Sequence, residues 1–234
     1  MNEFSSAIGA ALSMIVTLEA NLVEIVLLSL QVSLRAVAIA SVIALPLGAL
    51  IALQSFPGRR GVVILLNALM GLPPVVVGLL VYLLLSRAGP LGPMGLLFTP
   101  TAMIIAQSII VLPIIAALSR QTIADLHEEY DEHLRSLGCS PMQSVATLLW
   151  DGRFRLLTAI MAGFGRAIAE VGAVIIVGGN IQHATRVMTT TIALETSKGN
   201  LALALGLGLI LVTLALGVNA TALVISDAAR RRYG

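Results

Sequence analysis

The residues best placed to do chemistry in this 234-residue sequence crowd into one segment, Glu128-Glu129-Tyr130-Asp131-Glu132-His133-Leu134-Arg135-Ser136-Leu137-Gly138-Cys139-Ser140-Pro141. His127-Glu128 followed by His133 raises zinc-protease chemistry first. That motif needs two histidines four apart on one helical face; these are six apart, point to divergent sides and predict no metal site. Cys139 is the sole cysteine, which excludes a disulfide framework and a thiolate metal cluster. There is no GxSxG elbow and no Ser/His pair within the apolar segments, so no catalytic residue is expected. There is also no GxxxxGK[ST] phosphate loop, and the chain is expected to hold no cofactor of its own.

Three further groups lie in or beside the apolar runs. Glu170, four residues after Arg166 and close to Gly172, is an ionisable side chain deep in a hydrophobic run; such a group must face a partner or water, and Arg166 is its candidate partner in a packing or gating role. Thr185, Arg186, Thr189, Thr190 and Thr191 offer hydroxyl donors and one guanidinium, which suit a tetrahedral oxyanion. Favoured over that is a polar rim facing an external protein. Pro73-Pro74 sits near the middle of a third run, where two successive prolines remove intrahelical bonds, giving either a structural kink or a broken helix that lines a water-filled route.

The elements that must position these groups follow from composition. With 58% hydrophobic and 11% charged residues, the chain reads as an all-α membrane protein, since helices satisfy backbone groups in lipid and no alternating β-barrel pattern is present. About five transmembrane helices are expected, at 22–53, 62–85, 96–118, 156–177 and 201–225. The N-terminal segment 1–21 carries a short apolar stretch, Ser6 to Leu18, expected to lie at the membrane interface rather than form a sixth span. Arg59-Arg60, Arg120, Arg135, Arg153, Arg155 and the basic tail 227–234 fall on one side of this arrangement, which is therefore assigned as cytoplasmic, with the N-terminus outside. No basic and aromatic interleaving is present, so no nucleic-acid partner is expected.

On the assigned cytoplasmic side, residues from about 120 to 155 form a polar insert. Its pattern predicts two short helices joined by a corner. Tyr130, Leu134 and Leu137 make one apolar stripe, Asp131 and Glu132 occupy a first turn, Gly138 stops the helix in the left-handed region, Ser140 caps the next helix, and Pro141 opens it. Helices so short need something to pack on, and docking onto another protein is favoured over a solvated loop.

Glu132-His133-Leu134-Arg135-Ser136-Leu137-Gly138 resembles the "EAA" loop of type I binding-protein-dependent ABC importer permeases, with Glu132 and Gly138 at the family's six-residue spacing. It departs where His133 and Leu134 replace two alanines, and where Leu148-Leu149-Trp150-Asp151 replaces a later Ile-x-Leu-Pro. Asn67 to Gly78, Phe98 to Gln107, Arg166 to Ala173 and Gly178-Gly179-Asn180-Ile181 are similar to the molybdate and tungstate branch, and Thr185 to Gly199 is closer to the tungstate permeases. The resemblance implies a type I transmembrane domain over about 22–226 in a cell (inner/cytoplasmic) membrane. It implies a homodimer, a cytoplasmic ATP-binding subunit that holds ATP and Mg and grips Glu132, His133, Leu134, Leu137, Gly138, Ser140 and Pro141, and an extracytoplasmic substrate-binding protein. The cargo it implies is tungstate first and molybdate next, with sulfate, phosphate or a non-transporting scaffold as alternatives. Pro73, Pro74, Arg166, Glu170, Gly172, Asn180, Thr185, Arg186 and Thr189 are the candidates for pathway or gate.

Overall fold

The computed structural model describes residues 2–233, with side chains described for 6–221, 224 and 225; the side chains of the tail assigned to 227–234 lie outside the described residues. Ten α-helices form: α1 (Asn2–Val16), α2 (Ala20–Leu53), α3 (Arg59–Leu69), α4 (Pro74–Leu85), α5 (Pro100–Ser136), α6 (Pro141–Asp151), α7 (Arg153–Ile168), α8 (Gly172–Gly178), α9 (Met188–Ser197) and α10 (Leu201–Tyr233). No strand occurs among the described residues. Among the described residues, three helices are long and apolar enough to cross a membrane, and the number reaches five if each of two bent pairs, α3 with α4 and α7 with α8, forms one span.

The two breaks have different origins. Pro73 takes an extended conformation (φ −64°, ψ 120°) and caps α4, while Pro74 stands at its first position, where a missing N–H costs no bond. The expected span 62–85 is therefore two helices of 11 and 12 residues. Pro46 and Pro113 lie inside unbroken α2 and α5. The expected continuous span 156–177 is corrected: α7 stops at Ile168 and α8 starts at Gly172, with no proline at the break. Glu170 and Gly172 supply the physical reason, a side-chain acceptor that caps α8 and a residue small enough for the close contact described below.

The chain divides into two compact units, and each is coherent in itself. The first comprises Met1–Ala36, Pro73–Gln107 and Ala167–Gly217. In it α4 lies on α8 at very short range: a Cβ on Gly78 would stand 2.7 Å from the Ala173 Cα, and one on Gly172 would stand 2.7 Å from a Val75 methyl. Small residues here let two backbones meet. α1, with 15 residues, is too short to cross a bilayer; its Ala11 is fully buried and faces Gly206 of α10.

The second unit comprises Val37–Leu72, Ser108–Arg166 and Val218–Gly234. Here α2 and α5 cross closely, since a Cβ on Gly48 would meet the Ala116 carbonyl oxygen at 2.6 Å, and the Ser119 hydroxyl donates to the Leu45 carbonyl (3.1 Å). α5 has 37 residues. At about 1.5 Å per residue it is about 55 Å long, well beyond a hydrocarbon layer of about 30 Å, so its C-terminal part belongs to the polar insert.

Candidate functional site

The insert stands on a packed base in the second unit. Ala49 and Ala52 of α2, Ile123, Leu126 and Leu134 of α5, Val145 and Leu148 of α6 and Leu156 of α7 form one buried cluster. Leu148 is 1% exposed, and burying such a side chain contributes about 1.5–3 kcal/mol. Gly152 lets α6 turn into α7 beside this cluster, because a Cβ there would lie 2.7 Å from the Leu126 Cδ1.

On that base sits a corner made by local chemistry. Gly138 has φ +65°, the left-handed stop. The Gly138 N–H donates to the Arg135 carbonyl (3.0 Å) and the Cys139 N–H to the Leu134 carbonyl (3.1 Å), so both of these carbonyls in the last turn of α5 are satisfied. Two residues on, the Ser140 hydroxyl accepts from the Gln143 N–H (3.3 Å) and the Gln143 side chain accepts from the Ser140 N–H (2.8 Å), a complete capping box with Pro141 at the first helical position.

Two expectations about the insert are corrected. Its first helix is not separate but the end of α5, so Asp131 and Glu132 stand near a C-terminus and gain nothing from the helix dipole. Instead Asp131 takes a two-point contact from Arg135, with Arg135 Nε donating to Oδ1 (2.9 Å) and Nη2 lying 2.9 Å from Oδ2. The stripe Tyr130, Leu134, Leu137 is also not one buried face. Leu134 is 7% exposed and anchors the base, whereas Tyr130 is 37% and Leu137 77% exposed, because Leu137 falls at the turn where α5 ends. Glu132, His133, Leu137, Gly138, Ser140 and Pro141 are all exposed, joined by Met142 and Trp150. The corner thus presents apolar surface on a rigid support. The signal that could have found Trp150 is its place two residues past Leu148, the last buried position of α6, and so off the buried face.

The remaining candidates belong to the first unit, Arg166 excepted, which ends the middle segment of the second. Glu170 is 3% exposed and accepts from the Ala173 N–H through Oε1 (3.0 Å). Its backbone carbonyl takes the Thr189 hydroxyl (2.7 Å). Because α7 ends at Ile168, Glu170 does not share a continuous helical face with Arg166. Pro73 is exposed and Pro74 half-buried.

The threonines do not form an exposed rim. Thr185, Thr189, Thr190 and Thr191 are buried, and their hydroxyls are committed within the chain. Thr185 donates to the Gly178 carbonyl and accepts from the Ile181 N–H; Thr190 reaches Asn180 Oδ1 (2.9 Å); Thr191 donates to the Val187 carbonyl (2.7 Å). Asn180 has φ +50°, a conformation asparagine tolerates. The Met188 N–H donates to Ser29 Oγ on α2 (2.8 Å). The loop 179–187 is therefore a hydrogen-bonded lock, and burial takes these hydroxyls off the exposed surface that a rim requires. Arg186 is half-buried, with its Nε lacking a hydrogen-bond partner among the described residues.

A family model for the inner membrane component of binding-protein-dependent transport systems matches residues 44–232. The chain is 39% identical over 218 residues to a probable anion ABC transporter permease protein of Haloferax volcanii, covering 91% of this chain and 94% of that protein. It is 39% identical over 200 residues to a tungstate uptake system permease protein of Peptoclostridium acidaminophilum, covering 86% and 88%. A sulfate transport system permease protein of Synechocystis is 31% identical over 133 residues, covering 54% and 46%.

Proposed function

Because this chain belongs to the inner membrane components of binding-protein-dependent transport systems, the ABC transporter permeases, we propose that it carries tungstate into the cell as the membrane-spanning part of an ATP-driven importer. The cargo assignment rests on the tungstate uptake permease, similar over most of both chains, against a sulfate permease similar over only about half. Molybdate, of the same charge and shape, is the second candidate.

The observation that carries the mechanism is the exposed corner on its packed base. A cytoplasmic ATP-binding subunit, holding ATP and Mg, docks on Glu132, His133, Leu137, Gly138, Ser140 and Pro141. Leu134 passes the movement into the base, where α2, α5, α6 and α7 meet in one cluster. In this reading the chain pairs with a second copy of itself, lies in the cytoplasmic membrane with its N-terminus outside, and receives cargo from an extracytoplasmic binding protein. The break at Pro73-Pro74 and the capped break at Glu170 are the places where the route changes shape.

The test is transport in proteoliposomes holding this chain, its ATP-binding subunit and its binding protein, with internal anion measured by elemental analysis. Tungstate is expected to accumulate only with ATP, and at least about tenfold over sulfate, a selectivity of about 1.4 kcal/mol. Equal accumulation of sulfate, or uptake without ATP, overturns the reading.

A further inference from the structure

A groove of about 530 Å³ in the second unit is lined by Phe56, Gly58, Arg59, Arg60, Val63 and Arg120. Three of these six residues are arginines and none is acidic, so the groove concentrates positive charge with no internal counter-charge. Its arginines are placed by the fold. Arg59 is clamped to the end of α2, with Nε donating to the Ile51 carbonyl (2.8 Å) and Nη2 to the Ala52 carbonyl (2.7 Å). Arg120 is brought in by the α2–α5 crossing at Gly48, where a Cβ would lie 2.8 Å from the Arg120 nitrogen. Gly58, at φ +88°, turns the chain so that Arg60 follows at the start of α3. Neither Arg60 nor Arg120 has a hydrogen-bond or ion-pair partner among the described residues.

We propose that this groove binds the phosphate of an anionic phospholipid. Arginine forks match tetrahedral oxyanions in two-point contacts, and basic pockets beside membrane helices suit lipid headgroups. The apolar half of such a molecule also has somewhere to go: Phe56 is 38% exposed in the groove, and Ile64 and Leu65, next along α3, are 62% and 57% exposed. A free oxyanion offers the same chemistry without the need for that apolar path. Insertion topology alone accounts for arginines on one side of a membrane, but not for clamping one to a helix end and steering another through a glycine crossing.

The full chain is reconstituted in phosphatidylcholine nanodiscs, with phosphatidylglycerol titrated in one arm and inorganic phosphate in another, and bound lipid counted by native mass spectrometry. Wild type should retain phosphatidylglycerol saturably over phosphatidylcholine. At about fivefold per arginine near an anionic surface, R60Q/R120Q should weaken retention about twenty-five-fold. Binding of inorganic phosphate that the same variant abolishes, with no preference for phosphatidylglycerol, keeps the anion site and overturns the lipid assignment. No saturable binding of either by wild type overturns the proposal whatever the variant's folding. So does unchanged binding in R60K/R120K and R60Q/R120Q together. The readout contains no transport step, so its failure leaves the importer reading intact.

Discussion

Glu195 is a buried carboxylate whose charge is held by neighbours. The Lys198 ammonium, hydrogen-bonded to it, holds its carboxyl below the usual range, with Asn200 and the positive charge of Arg186 acting in the same direction and burial opposing them. The group lies on α9, a ten-residue helix outside the candidate spans. A lowered folded value means that the unfolded state takes up protons first, so the stabilisation is present above the unfolded value of 4.5 and is lost as pH falls through the lower folded value. Melting temperature against pH should show wild type above Glu195→Gln near neutrality, the gap closing on acidification; a gap independent of pH would contradict this. At the same scale, Thr190→Val leaves the buried Val187 N–H without its side-chain acceptor and should destabilise the fold by about 1–3 kcal/mol, read as a lower melting temperature. Gly138, Ser140 and Pro141 were legible in the sequence because each acts on its immediate neighbours. The commitment of Thr185 and Thr190 was not, because Gly178 and Asn180 are seven and ten residues away.

Among elements, the close crossings set the tolerances. Gly78→Val should cost about 1–3 kcal/mol or prevent assembly, since overpacking against the Ala173 backbone leaves no room to adjust; a full yield of protein melting as wild type would contradict the α4–α8 packing. In the insert, Leu148→Ala empties part of the base and should cost about 2–5 kcal/mol, while Leu137→Ala, at an exposed position, should stay within about 0.5 kcal/mol of wild type. Chemical or thermal unfolding of the two variants side by side checks this. The break at Pro73-Pro74 could be read from two adjacent prolines. The break at Glu170 could not, because a carboxylate in an apolar run gives no sign in sequence that it accepts from the Ala173 N–H three residues on. The run of α5 through the insert was obscured for a related reason: the change from apolar to charged residues after Arg120 marks where α5 changes surroundings, and backbone hydrogen bonding continues unaltered until Gly138.

For the whole molecule, hydrophobic patterning announced an all-α membrane protein, and the spacing of Glu132 and Gly138 pointed to the ABC permeases to which the chain belongs. Patterning could not tell which face of the insert is buried. That is decided by the end of α2, far back in the sequence, together with the start of α7, which claim Leu134, Val145 and Leu148 for the base and leave Leu137 and Trp150 outside. This division makes folding and coupling separable, since the residues that hold the insert together are not those offered to a partner. It also identifies the most direct test. Tungstate uptake and ATP hydrolysis are measured together in proteoliposomes containing the binding protein, the ATP-binding subunit and either wild type or Leu137→Asp. The account predicts that the variant inserts and melts as wild type but loses uptake by at least about tenfold, a coupling loss of about 1.4 kcal/mol or more. Wild-type uptake by a stably inserted Leu137→Asp chain, with its ATP-binding subunit still attached, would contradict it.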